Sequence, residues 1–310
     1  MKIPRTARAI LVCLLTSFLF GMSFIFIRLS ITEVSLLTML SWRHMIAITA
    51  MTLCAKFGIL NIHLKGKDIR PLLKLSLYQP ILYYIFESAG VKHTTASESG
   101  IIIATIPIVT MICGMIFLKE RPSRTQAFFM VMTVAGAILA AGVGGVSTAG
   151  SVIGYSCLFV AVLCDSGFSF TTQKITGFTS AERTYVMCAS GAVVFTLGAV
   201  IENAMAGTLG TFITLPFSDT GFLICLLYLS IGCNIVAFLC MNYAISIIGA
   251  TRRSAFAGLS TVVTLIASAI VLDEKILPLQ FVAAALILGG VTGVNVIGIL
   301  NEKKEAAQAS

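Results

Sequence analysis

The chain has 310 residues, 57% of them apolar and 11% charged, with a formal net charge of +8 and a mean hydropathy of +0.99. So little charge on so apolar a chain excludes an ordinary water-soluble domain. The Lys and Arg residues are scattered over many short segments, which also excludes a single basic face for nucleic acid.

Apolar stretches of about 18–25 residues, the length of a bilayer-crossing helix, follow one another along the whole chain. The first, 7–27, follows a basic start and so mimics a signal peptide. No small-residue cleavage site follows 20–27, so this stretch is expected to stay as a span. The second, 36–54, carries Trp42, Arg43 and His44. The third, 72–90, places Gln79, Tyr83 and Glu87 at i, i+4 and i+8, along one helix face, and contains Pro80. Spans at 100–118, with Pro107, and at 127–146, with Gly136, Ala140 and Gly144, complete a first set of five.

A second set of five follows. Span 152–172 has Asp165, Ser169 and Thr172 on one face. Next come 185–205 and 221–245, the latter with Asn234, Phe238 and Asn242 at the same four-residue spacing. The spans at 255–272 and 279–300 end the set, and the last carries Gly289 and Gly293. If the amino terminus is cytoplasmic, 17 of the 21 Lys and Arg fall on cytoplasmic segments. That bias predicts ten spans with both termini inside. The nine cysteines lie in or beside apolar spans without CxxC spacing and read as small core residues.

The halves resemble each other. Gly21, Phe24 and Arg28 recur as Gly167, Phe170 and Lys174 at a shift of 146 residues. The 117–120 segment Phe-Leu-Lys-Glu resembles Val-Leu-Asp-Glu at 271–274, and the Gln79, Tyr83, Glu87 stripe maps onto Asn234, Phe238, Asn242. Five spans is an odd number, so the second copy enters the membrane from the opposite side. Inverted repeats are a construction of secondary transporters, with the substrate site near mid-membrane between the halves.

The predicted fold is therefore all-α and membrane-integral, ten transmembrane helices in two inverted five-helix repeats, residues 1–148 and 149–310. Arg43, Glu87 and Asp165 each cost about 3 kcal/mol to place at mid-membrane, so each needs a partner or a task. One reading is a structural salt bridge from Arg43 to Glu87 or Asp165. The other is a water-filled cavity in which the acids face a substrate ammonium or carry a coupling proton while Arg43 holds a carboxylate. The paired stripes Gln79, Tyr83, Glu87 and Asn234, Phe238, Asn242 read either as substrate contacts or as helix-packing amides. Pro80 and Pro107 read as kinks, static or gating. Trp42, Tyr84, Tyr155, Tyr228 and Tyr243 wall a cavity or sit at the membrane interface. The small faces of the fifth and tenth spans suit close helix packing, within the chain or in a homodimer.

No His, Cys or carboxylate set has metal-ligand spacing, and no GxxxxGK[ST] or HExxH sequence occurs. Neither metal, other cofactor nor enzymatic activity is expected; a small-molecule substrate and the lipid bilayer are the expected partners.

The order of these features resembles the drug/metabolite transporter superfamily, and within it the EamA-type carriers. The resemblance covers nearly the whole chain. It rests on Gly21, Phe24 and Arg28, the Trp42-Arg43 pair, 89–97, Pro107, 117–120, and Ala244, Gly249 to Arg252 and Leu272 to Glu274. One departure is Thr261-Val262 where the family pattern has a proline. The resemblance implies a carrier of the inner or plasma membrane that exports amino acids or similar small metabolites through a central cavity. An organic-cation efflux carrier of the same superfamily is the alternative, and a passive channel a weaker one, since a two-copy chain offers no ring of repeated pore residues.

Overall fold

The computed structural model describes residues 4–30, 34–93, 102–103, 105–119, 121–142, 152–271 and 277–308. Glu120, Gly144, Asp273, Glu274, Lys275 and residues 94–97 lie outside the described residues, as do the side chains of Phe24, Arg28, Lys92 and Ala140.

Helices account for the apolar stretches. In the first half these are α1 (Arg5–Ser30), α2 (Leu36–Lys56), α3 (Arg70–Ser76) continuing into α4 (Tyr83–Lys92), α5 (Ile106–Cys113) and α6 (Arg124–Gly142). In the second half they are α7 (Val152–Lys174), α8 (Ser180–Ala206), a short α9 (Leu209–Ser218), α10 (Thr220–Leu227) continuing into α11 (Phe238–Ala255), α12 (Ala257–Val271) and α13 (Pro278–Gln308). Among the described residues, six helical stretches are long and apolar enough to cross a membrane, and shorter apolar helices supply the fourth, fifth and ninth spans. The third span, from Arg70 to Lys92, is long enough, but Lys74, Gln79, Pro80 and Glu87 make it less apolar than those six.

Local chemistry sets the ends. Ser35 accepts the Thr38 amide at the start of α2. Thr179 and Glu182 cap the start of α8 reciprocally, and Glu182 is tied to Lys67 of the preceding half at 2.7 Å. Asp219 accepts the amides of Gly221 and Phe222 to begin α10. α9, a ten-residue apolar helix, lies outside the spans expected from the sequence and is held by Trp42 Nε1 donating to the Phe212 carbonyl at 3.0 Å.

The packing respects the repeat. α1 lies against α11 and α12, while its counterpart α7 lies against α4 and α5; α2 pairs with α8, and α6 with α13. The α6–α13 pair uses the small faces: a methyl group on Gly136 would stand 2.8 Å from the Ala283 carbonyl oxygen, and Gly293 lies against the Phe129 ring. Gly136, Gly289 and Gly293 are thus used for packing within the chain. Large apolar side chains such as Phe128 and Phe281 point outward, whereas Arg43, Asp165, Asn234 and Asn242 are buried. This is the distribution of a chain whose solvent is lipid.

Candidate functional site

Between the halves lies a cavity of about 240 Å³, lined from α1, α2, the third span, α5 to α7, α11 and α12. It gathers residues that the sequence scatters from Cys13 to Thr261.

In the third span the helix stops at Gln79, which has extended dihedrals (φ −148°, ψ 124°) and a cis bond to Pro80, and resumes at Tyr83. The break directs Gln79, Tyr83, Tyr84 and Glu87 into the cavity wall. Tyr83 donates its hydroxyl to Glu87 Oε1 at 3.0 Å. Glu87 has no cation within ion-pair distance among the described residues. The Gln79 amide oxygen is buried without a hydrogen-bond partner among the described residues.

Arg43, from α2, also lines the cavity. Its Nε donates to Asn234 Oδ1 at 2.7 Å, its Nη2 donates to the Tyr84 hydroxyl at 3.1 Å, and the guanidinium lies 5.2 Å from the Tyr84 ring centre. All of these partners are neutral. The expected salt bridge from Arg43 to Glu87 or Asp165 is therefore not formed. Asp165 pairs instead with Arg253, Nη1 to Oδ2 at 3.4 Å, and Arg253 Nη2 also meets the Met241 sulfur.

Arg253 is the cavity residue that the sequence reading missed. Charge bias assigns it to a cytoplasmic loop, but the eighth span runs on to Ala255 and bends at Gly249 (φ 79°, ψ 168°), a left-handed position suited to glycine. The bend carries Arg253 back into the protein, where it is 9% exposed. The signal was present: Gly249 precedes two arginines in a connection only nine residues long.

The second stripe behaves differently. Asn234, Phe238 and Asn242 are not in the cavity lining. Asn234 sits in a widened helical turn, Tyr228–Ala237, and holds Arg43 from behind; its own carbonyl accepts the Cys188 thiol at 3.5 Å. Phe238 packs edge-on against Phe20 and Phe168 at 5.9 and 6.4 Å. Asn242 donates to Thr184 at 3.2 Å and accepts from Thr172 at 3.5 Å. Thr172 and Ser169 are buried away from the cavity, so α7 presents Asp165 there without the hydroxyls expected beside it.

Pro107 lines the cavity but does not kink a helix; it lies in the first turn of α5, where a missing N–H costs no hydrogen bond. Pro80 stands at the break of the third span. Of the aromatic residues proposed as walls, Tyr84 lines the cavity. Trp42 anchors α9, and Tyr228 donates to the Leu19 carbonyl at 2.9 Å.

A family model described as "EamA-like transporter family" matches residues 7–142 and 152–296. The chain is 35% identical over 290 residues to "Uncharacterized transporter YcxC" of Bacillus subtilis (strain 168), covering 93% of each. It is 24% identical over 263 residues to an "Uncharacterized transporter" of Archaeoglobus fulgidus, covering 84% of this chain and 88% of that protein. A solved structure titled "Crystal structure of protein" superposes with a TM-score of 0.75 at 14% identity, over 93% of this chain and 98% of that one. That last likeness is one of fold.

Proposed function

The chain belongs to the EamA-like transporter family of multi-pass membrane proteins, and from that premise we propose that it is a secondary active carrier exporting small zwitterionic metabolites, such as amino acids, through the central cavity. One observation carries this reading. Arg43 and Glu87 line the same cavity, and neither is compensated by an ion pair among the described residues. An isolated charge inside a membrane protein is costly, and a ligand bearing the opposite charge offsets that cost.

In this reading the substrate carboxylate meets Arg43, whose Nη1 makes no hydrogen bond among the described residues. The ammonium meets the Glu87 oxygen that Tyr83 leaves free. Asn234 and Tyr84 fix the guanidinium plane, so little of its freedom is lost on binding. Asp165 and Arg253 neutralise each other and form the polar floor. Rocking of one five-helix repeat against the other exposes the site alternately, with both termini in the cytoplasm, in the cell membrane, and with a proton on an acid as the coupling ion.

Two carboxylates beside Tyr83 and Tyr84 also favour a second reading, efflux of an organic cation. Counterflow in proteoliposomes separates the two. The zwitterion reading expects saturable exchange of amino acids that lipophilic cations fail to compete away, and loss of exchange in Arg43→Gln. Exchange of cations that survives Arg43→Gln would replace it with the second reading; leakage without saturation would replace both with a pore.

A further inference from the structure

The cavity has two chemically distinct walls. The charged groups come from α2, α4, α7 and α11. The wall from α1 and α12 bears five hydroxyls: Thr16, Ser17 and Ser23 on one stripe of α1, and Ser260 and Thr261 on α12. Each of these hydroxyls has a single proton, and in four of the five, all but Thr261, it is already committed to a backbone carbonyl. Thr16 donates to Val12 at 2.8 Å, Ser23 to Phe20 at 2.7 Å and Ser260 to Ala257 at 2.6 Å. Ser17 shares its proton between Cys13 and Phe256 at 3.0 and 2.9 Å. What remains for a ligand is lone pairs.

We propose that this is an acceptor-rich wall, and that the transported molecule turns N–H or O–H donors toward it. The inference rests on the zwitterion reading of Arg43 and Glu87 and narrows it. The substrate is a small zwitterion whose side chain ends in an amine, amide, guanidine or hydroxyl, rather than in hydrocarbon or carboxylate. A hydrocarbon end strips water from the acceptors and returns nothing, and a carboxylate end sets lone pair against lone pair. Rotating one hydroxyl to donate to a ligand forfeits its carbonyl bond, a cost of about fivefold in affinity for each hydroxyl turned. Sites built to bond a donor discriminate against analogues lacking it far more sharply than apolar pockets discriminate by size.

The test is counterflow with the full-length protein in proteoliposomes, comparing glutamine and lysine with norleucine and glutamate as tracers of similar length. Glutamine or lysine is expected to exchange at least about tenfold faster than norleucine and glutamate. In Thr16→Val and Ser260→Ala, checked for monodispersity, the glutamine-to-norleucine ratio should fall about fivefold for each acceptor removed. Equal exchange of glutamine and norleucine by the unmodified protein overturns the acceptor wall while leaving the grip of Arg43 and Glu87 intact. So does a ratio that monodisperse variants leave unchanged. If none of the four exchanges, the zwitterion reading fails and the inference falls with it, an outcome distinct from equal exchange.

Discussion

The third and eighth spans are copies of one design put to different uses. Both interrupt the α-helix at the repeat-equivalent amide, Gln79 in an extended break and Asn234 in a widened turn. Beyond the interruption they part. The third span shows Tyr83 and Glu87 to the cavity, whereas the eighth turns Phe238 and Asn242 into the packing against α7 and α8. Asn234 stands between these roles, outside the lining yet bonded to Arg43 within it. Duplication supplied two broken helices, and divergence made one the displaying surface and the other its support.

If that division is right, equivalent positions should fail in different ways. The largest effect is expected at Phe238, a side chain 2% exposed and wedged between Phe20 and Phe168. Phe238→Ala should destabilise the protein by about 3–5 kcal/mol, read as a lowered melting temperature in detergent. A variant that melts like the parent but transports poorly would place Phe238 with the displaying surface and undo the comparison.

Glu87 is expected to show the opposite signature. Glu87→Gln keeps the shape and removes the charge, so zwitterion exchange should fall about 100-fold, the size of a lost charge-assisted contact. Melting should hold or rise, since an uncompensated charge leaves the membrane interior. Unchanged exchange in this variant would remove Glu87 from the site.

Much of this was legible in the sequence, because apolar length and charge bias are set by the bilayer and survive any detail of packing. The spans read as 36–54 and 152–172 emerge as Leu36–Lys56 and Val152–Lys174. The errors lie where a helical period was carried through a stretch that does not keep it. Asn234, Phe238 and Asn242 share a face only if every residue advances by the α-helical angle, and the widened turn Tyr228–Ala237 alters that advance. Arg253 was hidden for a related reason: charge bias assigns it to a loop, and only the Gly249 bend reveals that the chain turns inward. Arg43 was identified from the cost of burying a charge, but its neutral partners Asn234 and Tyr84 lie 191 and 41 residues away, separations on which no local pattern reports.

Asn234 sharpens the comparison further, because its effect should travel through another residue. Asn234→Ala removes the acceptor for Arg43 Nε, a bond to a charged group worth about 1.5–3 kcal/mol. The guanidinium then keeps its charge but loses its orientation, so KM for the zwitterion should rise about tenfold while the maximal exchange rate changes less. Restoring an acceptor with Asn234→Asp should give back stability, since the carboxylate meets Arg43 directly, yet abolish transport by neutralising the charge meant for the substrate. Asn234→Asp transporting like the parent would show that Arg43 does not hold the substrate.

The smallest expected effect belongs to Tyr83, the counterpart of Phe238. Tyr83→Phe makes the third span match the eighth at this position and deletes the hydroxyl that donates to Glu87 Oε1. One hydrogen bond of about 1 kcal/mol corresponds to roughly fivefold in exchange rate. The loss should appear as a change in transport with melting unaffected, because the ring stays and Glu87 remains open to the cavity. The contrast with Phe238→Ala is the sharper for its modesty: at one repeat position the ring supports the fold, and at the other a single oxygen tunes the acid beside the substrate. A fall in melting temperature as large as that of Phe238→Ala would show that both spans are structural, and the cavity would then owe its charges to packing rather than to a ligand.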